Sequence, residues 1–156
     1  GRGGSCAFQD DGGHAGSVRL QPHDLVGHAR DGQGVALVDA RGREVAVRGW
    51  VEGSGRDLLD LAARFEAVGV AALIVTEIGR DGTLEGPDVD QLGSVLARCG
   101  IPLIASGGVG TLDHLVDGIL TGHADAVLAA SIFHYGEYTV GEAKQLMAKR
   151  GIEVRL

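Results

Sequence analysis

Four short apolar segments constrain the fold of this chain more than any other feature of its sequence. Each is nearly continuous in hydrophobic residues, which is typical of parallel strands that are buried on both faces. Their starts lie roughly 30 residues apart, which is the length of a strand, a helix and two loops. The segments are residues 35–39, 71–76, 101–106 and 126–131.

Amphipathic helical patterns follow each of these segments. The first pattern carries its apolar residues on one stripe and has a glycine, Gly69, at its C-terminal end. The third begins at Thr111, a residue type that caps helix N-termini. The predicted helices are 57–69, 88–99, 111–120 and 140–150. Alternation of strands and helices predicts an α/β fold with a parallel sheet.

Composition and charge exclude several classes of protein. The chain has 156 residues, of which 44% are hydrophobic and 22% are charged, and its formal net charge is −7. This acidic balance argues against partners such as nucleic acid or an anionic membrane surface. We find no apolar run long enough to span a membrane and no secretory signal pattern. Cys6 and Cys99 are isolated and lack metal-ligand spacing, so a reducing, cytoplasmic location is expected.

The first 34 residues differ from the rest of the chain. They contain nine of the 27 glycines and three of the six histidines, and they show little periodicity. We therefore interpret residues 1–34 as an irregular Gly-rich segment and residues 35–156 as the folded domain. The three histidines, His14, His23 and His28, are not in ligand spacing, and we predict no metal site.

Polar residues end all four apolar segments, namely Asp39, Thr76, Ser106 and Ser131. Ligands of α/β sheets bind at the carboxyl edge, where such residues would meet. Each residue alone could be a helix cap or a strand stop. The presence of a polar residue at the same place in all four segments favours a functional site.

A glycine-rich loop follows the third segment, with glycines at positions 107, 108 and 110. Glycine at this position lets an anion approach backbone N–H groups at a helix N-terminus. The spacing is not that of the dinucleotide fingerprint. Together with the end of the fourth segment, this loop predicts a phosphate site of the kind that barrels place after their last two strands.

Three further residues are candidates for chemistry. Asp81 lies in an Asp-Gly sequence, either as a proton-transferring carboxylate on a flexed loop or as an ordinary turn residue. Asp39 lies two residues before Arg41, and it is either a catalytic acid or a member of an ion pair. Trp50 is the sole tryptophan, and it either stacks on a flat ring or packs in the interior.

The sequence resembles two related families of histidine biosynthesis. Residues 38–50 and 75–87 resemble the phosphoribosylformimino-aminoimidazole carboxamide ribotide (ProFAR) isomerase, and residues 101–156, above all 124–138, look like the cyclase subunit of imidazole glycerol phosphate synthase. Both families are (βα)8 barrels whose substrate carries a phosphate at each end. The resemblance covers strands five to eight, so it implies a (βα)4 half of a TIM barrel over residues 35–156.

The resemblance also implies roles for individual residues. Asp39 matches the strand-five carboxylate of both families, and Thr76 and Asp81 match the strand-six pair of the isomerase. The residues that match phosphate-binding positions are Gly82, Gly107, Gly108, Ala130 and Ser131. The isomerase needs no metal or organic cofactor, and its substrate is a phosphorylated ribosyl-imidazole. The essential Asp of the first barrel strand lies outside the matched half.

Three functions stay open at this stage. The first is an isomerase, weakened by the missing first-half carboxylate; the second is a non-catalytic phosphate-binding half-barrel. The third is a cyclase, which would take ammonia from a glutaminase partner. Leu84 favours the isomerase over the cyclase, because cyclases generally have Lys in that position of a Gly-Thr-Lys run.

A half-barrel would expose unpaired strand edges and an apolar inner face. We therefore expect a homodimer or higher oligomer that completes a two-chain barrel. The alternative is an open, flavodoxin-like sheet with a rearranged edge.

Overall fold

The computed structural model describes residues 34–155, which form one six-stranded sheet with helices. The predictions for residues 1–33, including the Gly-rich segment, lie outside the described residues. The strands are β1 (Val35–Arg41), β2 (Glu44–Val47), β3 (Glu52–Asp57), β4 (Ala72–Glu77), β5 (Leu103–Ser106) and β6 (Ala126–Leu128). The helices are α1 (Leu58–Ala67), α2 (Val89–Arg98), α3 (Leu112–Leu120), α4 (Ser131–His134) and α5 (Val140–Lys149).

The four predicted strands form the parallel part of the sheet. Strand order is β3-β2-β1-β4-β5-β6, and β1, β4, β5 and β6 are parallel neighbours. The prediction of an α/β fold with parallel strands is confirmed. The sheet is open, and its parallel strands follow one another in chain order, as in half of a βα barrel. In a flavodoxin-like sheet the order of the parallel strands reverses at a switch point. The four parallel strands described here show no such reversal, and only the antiparallel strands β2 and β3 lie on the other side of β1.

The predicted helices begin where capping residues stand. Asp57 accepts hydrogen bonds from the amides of Leu59 and Asp60 at the start of α1. Thr111 caps α3 as predicted, and Thr139 forms a capping box with Glu142 at the start of α5. These caps satisfy amides that have no partner within the first turn of a helix.

Two elements were missed from the sequence. A β-hairpin, β2–β3, extends from the end of β1 through a two-residue turn that starts at Gly42, which has φ +57. Its second strand contains Gly53 and Gly55, residues that are depleted in strands, and this composition hid it. The other is the short helix α4, which begins at Ser131. Strand β6 ends at Leu128, so the fourth apolar segment is a three-residue strand followed by a turn, and Ser131 is not a strand end.

The hydrophobic core lies between the sheet and the helices. Alternate strand residues such as Val38, Val75 and Leu103 pack against Leu58 and Val95 of α1 and α2. The opposite face carries Leu37, Ile74 and Ile104, which are partly buried and align in the sheet register. None of the described helices is long and apolar enough to cross a lipid bilayer.

Candidate functional site

Three of the predicted site residues form one row across the carboxyl edge of the sheet. Asp39 on β1 is the register partner of Thr76 on β4, and Thr76 is the register partner of Ser106 on β5. Adjacent strands are about 4.8 Å apart, so the row is compact. Because side chains alternate along a strand, the three side chains face the side opposite to the helix-covered core. Thr76 is 7% exposed, and Asp39 and Ser106 are partly exposed.

Trp50 reaches the first residue of this row. Its indole Nε1 donates a hydrogen bond of 2.8 Å to Oδ2 of Asp39. Trp50 is 42% exposed, so the interpretation of Trp50 as interior packing is wrong. An oriented donor on one carboxylate oxygen fixes that side chain at the sheet edge.

The segment that carries Trp50 has an unusual backbone. Arg48, Gly49 and Trp50 have φ values of +54, +70 and +74, all in the left-handed region. Non-glycine residues adopt this region uncommonly and at some cost in free energy. Nη1 of Arg48 pairs with Oε1 of Glu52 at 3.1 Å across the tip. The hairpin tip, residues 48–51, therefore holds the indole over Asp39 in a strained, solvent-exposed turn.

Asp81 lies on the loop that follows β4. This loop, residues 78–87, is anchored at both ends: the amides of Arg80 and Asp81 donate to the carbonyl of Glu77, and the Gly86 amide donates to the Gly108 carbonyl at 2.8 Å. Asp81 is exposed. A methyl group on Gly107 would lie 3.6 Å from Cβ of Asp81. The structure thus brings Asp81 beside the glycine-rich loop.

The glycines of that loop are required by backbone packing. Gly107 and Gly108 are buried and have φ values of +96 and +81. A methyl group on Gly108 would overlap the Gly86 carbonyl, and one on Gly110 would lie 2.5 Å from Cβ of Leu84. Loop 78–87 therefore packs directly on the glycine-rich loop. This packing explains the glycines independently of any anion.

Backbone amides at the same edge have unused hydrogen-bonding capacity. The amides of Gly107, Gly108, Ala130 and Ser131 donate to no other residue within the range 34–155. Gly82, with φ +76, is exposed on the loop that carries Asp81. Unpaired amides of this kind are the groups that bind a phosphate through backbone contacts.

Sequence reasoning missed one buried polar residue at this edge. Glu77 follows Thr76 at the end of β4 and is 6% exposed. Its side chain emerges on the helix-covered side, where Gln91 of α2 donates to Oε2. The available signal was a second polar residue at the end of an apolar strand, since alternation places it opposite Thr76.

The remaining polar features lie apart from the row. A cavity of about 200 Å³ between β3 and α1 contains none of the predicted site residues; it is lined by Gly55, Arg56, Asp57, Asp60, Leu61 and Arg64. Arg43 and Asp57 form an ion pair of 2.7 Å there. The hydrogen bond from Arg43 lowers the pKa of Asp57 below its ordinary value. Within the described part of the chain, no cluster of His, Cys, Asp and Glu could hold a metal ion.

A comparison with protein families agrees with this geometry. The family described as "Histidine biosynthesis protein" matches residues 15–139, which include β1–β6 and every predicted site residue. The match begins at residue 15, within the segment interpreted as irregular. Because the match covers most of the 156 residues, the chain belongs to the histidine biosynthesis protein family.

Proposed function

We propose that this chain carries a ProFAR-isomerase-like active site, which catalyses an aldose–ketose rearrangement of a phosphorylated ribosyl-imidazole. The observation that carries the proposal is the row Asp39–Thr76–Ser106, with Asp81 on the adjoining loop. The rearrangement needs an acid to open the ribose ring and a base to remove the C2 proton. Asp39 supplies one of these groups, and Asp81 is the second candidate.

The phosphate end of the proposed substrate lies at the glycine-rich side. Amides of Gly107, Gly108, Ala130 and Ser131 bind one phosphate group, with Gly82 contributing from the loop. Support comes from the absence of acceptors for the first four amides among the described residues.

The hairpin tip completes the site in this proposal. Trp50 offers a flat, partly exposed indole beside Asp39. An aromatic ring of the substrate stacks on that indole, as aromatic pairs do when their rings are offset. The imidazole end of the substrate therefore lies at the β1 side of the row and the bound phosphate at the β5–β6 side.

Turnover of ProFAR by the purified chain tests the proposal. Formation of the ketose product is followed by NMR, and Asp39→Asn is expected to lower the rate by a factor of about 10² to 10⁴. The matched control is Asp117→Asn, which changes an exposed carboxylate on α3 and should leave the rate within about twofold. Phosphate binding without turnover would instead favour the non-catalytic half-barrel.

Self-association is part of the same proposal. The outer edge of β6 pairs with no described strand, and Leu128 on it is 43% exposed. Leu37, Ile74 and Ile104 form an apolar face that no described helix covers. A second copy that covers this face would bring a second Asp39 to the carboxyl edge of the two-chain barrel. Light scattering at micromolar concentration should give at least twice the mass of one chain, and a stable monomer would contradict this part.

A further inference from the structure

Glu77 carries a buried carboxylate with an uncommon set of partners. Its two oxygens accept three hydrogen bonds: Oε1 from the Gly79 amide at 2.8 Å, and Oε2 from the Gly42 amide at 2.7 Å and from Nε2 of Gln91. Among the described residues, no lysine, arginine or histidine forms an ion pair with it. Within residues 34–155, the donors to this buried side chain are therefore all neutral N–H groups.

Such an arrangement is costly unless it is fully hydrogen-bonded. A buried carboxylate loses its hydration, and only well-placed donors offset that loss. Two of the three donors here are backbone amides, so the position of the carboxylate depends on the backbone around it. Conversely, the carboxylate fixes the positions of the two backbone segments that donate to it.

The two amides belong to the two segments that bear the candidate catalytic groups. Gly42 begins the turn that follows Asp39 and leads to the hairpin, and Gly79 precedes Asp81 by two residues. Nε2 of Gln91 also donates to the Gly42 carbonyl at 2.7 Å, which ties the same turn to α2. A methyl group on Gly79 would lie 2.9 Å from Oε1 of Glu77, so a side chain at position 79 would displace the carboxylate.

We infer that Glu77, supported by Gln91, is a positioning residue that fixes Asp39 and Asp81 relative to each other. The inference rests on the proposed function, because it concerns the two carboxyl groups of that reaction. Proton transfer depends steeply on placement, and displacements of about 1 Å cost on the order of 10²-fold in rate. Glu77 lies on the helix-covered side of the sheet and does not touch the substrate.

Hydrogen exchange tests the hydrogen bonds of Glu77 to the two backbone segments without any enzyme assay. In Glu77→Gln one acceptor oxygen becomes an NH₂ group, which cannot accept from a backbone amide. The Gly42 and Gly79 amides donate to different oxygens, so the amide that faces the NH₂ group loses its acceptor and should exchange at least about 10-fold faster. The matched control is Glu66→Gln, because Glu66 is an exposed carboxylate that accepts from the Gly100 amide at 2.8 Å. It should affect Gly100 alone, and unchanged exchange at Gly42 and Gly79 in Glu77→Gln would overturn the inference.

Kinetics test the consequence for the reaction. At a temperature where circular dichroism shows a folded protein, Glu77→Gln should lower kcat by about 10 to 100-fold, leave KM within about threefold, and change the pH profile of kcat. A purely structural role would leave that pH profile unchanged. Should Glu77→Gln fail to fold, Gln91→Ala removes one donor and should change the profile in the same direction by a smaller amount.

Failure of the proposed function and failure of the inference about Glu77 give different results. Absence of turnover in the unmodified chain would refute the proposed function, and the inference would fall with it. Turnover in the unmodified chain together with an unchanged kcat and pH profile in Glu77→Gln would refute the inference alone.

Discussion

The two sides of the candidate site are built in opposite ways. Loop 78–87 packs on the glycine-rich loop through backbone contacts and is held at its base by the buried Glu77 carboxylate. The hairpin tip, residues 48–51, is exposed, has three consecutive left-handed residues, and reaches the site through one side-chain hydrogen bond from Trp50. The comparison indicates that the side proposed to bind phosphate is preformed, whereas the side proposed to meet the substrate ring is adjustable.

Gly108→Ala should disrupt the packing between loop 78–87 and the glycine-rich loop, and it has the largest expected effect. The added methyl group would collide with the Gly86 carbonyl, and φ at this position is +81. Neither backbone segment can move without disturbing the other, so we expect a loss of about 2–4 kcal/mol in the free energy of unfolding. Urea denaturation of the purified protein measures this loss.

Gly136→Ala is the matched control for that substitution. Gly136 has a similar φ of +71, but a methyl group there meets no atom within 4 Å. Only the cost of the left-handed backbone applies, about 1 kcal/mol. Equal losses for the two variants would mean that the glycine-rich loop is not held by packing, and the contrast between the two sides would disappear.

Trp50→Phe would change the adjustable side with little effect on folding. Phenylalanine keeps an aromatic face but cannot donate to Asp39. Because the indole is partly exposed, the free energy of unfolding should change by no more than about 0.5 kcal/mol. Without this donor the Asp39 carboxylate is less precisely oriented, so kcat should fall roughly 10-fold. A large loss of stability with unchanged kcat would show that the tip has a structural role instead.

The parallel sheet and its helices could be predicted because the signals were local. Each continuous apolar run became a strand of the parallel sheet, and capping residues such as Thr111 marked helix starts. The hairpin could not be predicted, because Gly53 and Gly55 hide β3 and its pairing with β2 depends on tertiary context. An apolar run shows neither where pairing stops nor where a turn begins, so the prediction of a strand end at Ser131 is wrong.

The candidate site was predictable in part. Asp39, Thr76 and Ser106 end three of the apolar segments of the sequence, so parallel pairing alone places them in one row. The contact between Trp50 and Asp39 spans eleven residues and depends on the shape of a hairpin that the sequence did not reveal. The hydrogen bonds of Glu77 join a turn, a loop and a helix, and no spacing rule relates such segments.

The smallest expected effect concerns the base of the hairpin, where Arg43 pairs with Asp57. The hydrogen bond from Arg43 lowers the pKa of Asp57 below its ordinary value of 3.8. A group with a lowered pKa in the folded state stabilises the protein above its unfolded-state pKa, and this contribution is lost as the pH falls through the folded-state value. Asp57→Asn removes the charge but keeps a good N-cap for α1.

The variant should therefore be slightly less stable than the unmodified chain at neutral pH, and the difference should vanish below the folded-state pKa of Asp57. Urea midpoints measured from pH 7 down into that range test the sign. Arg43 is exposed and Asp57 is partly exposed, so 1 M salt should reduce the difference at neutral pH. A difference that grew on acidification would mean that Asp57 is stabilised in its protonated form. The Arg43–Asp57 pair would then not stabilise the ionised form of Asp57 at the base of the hairpin.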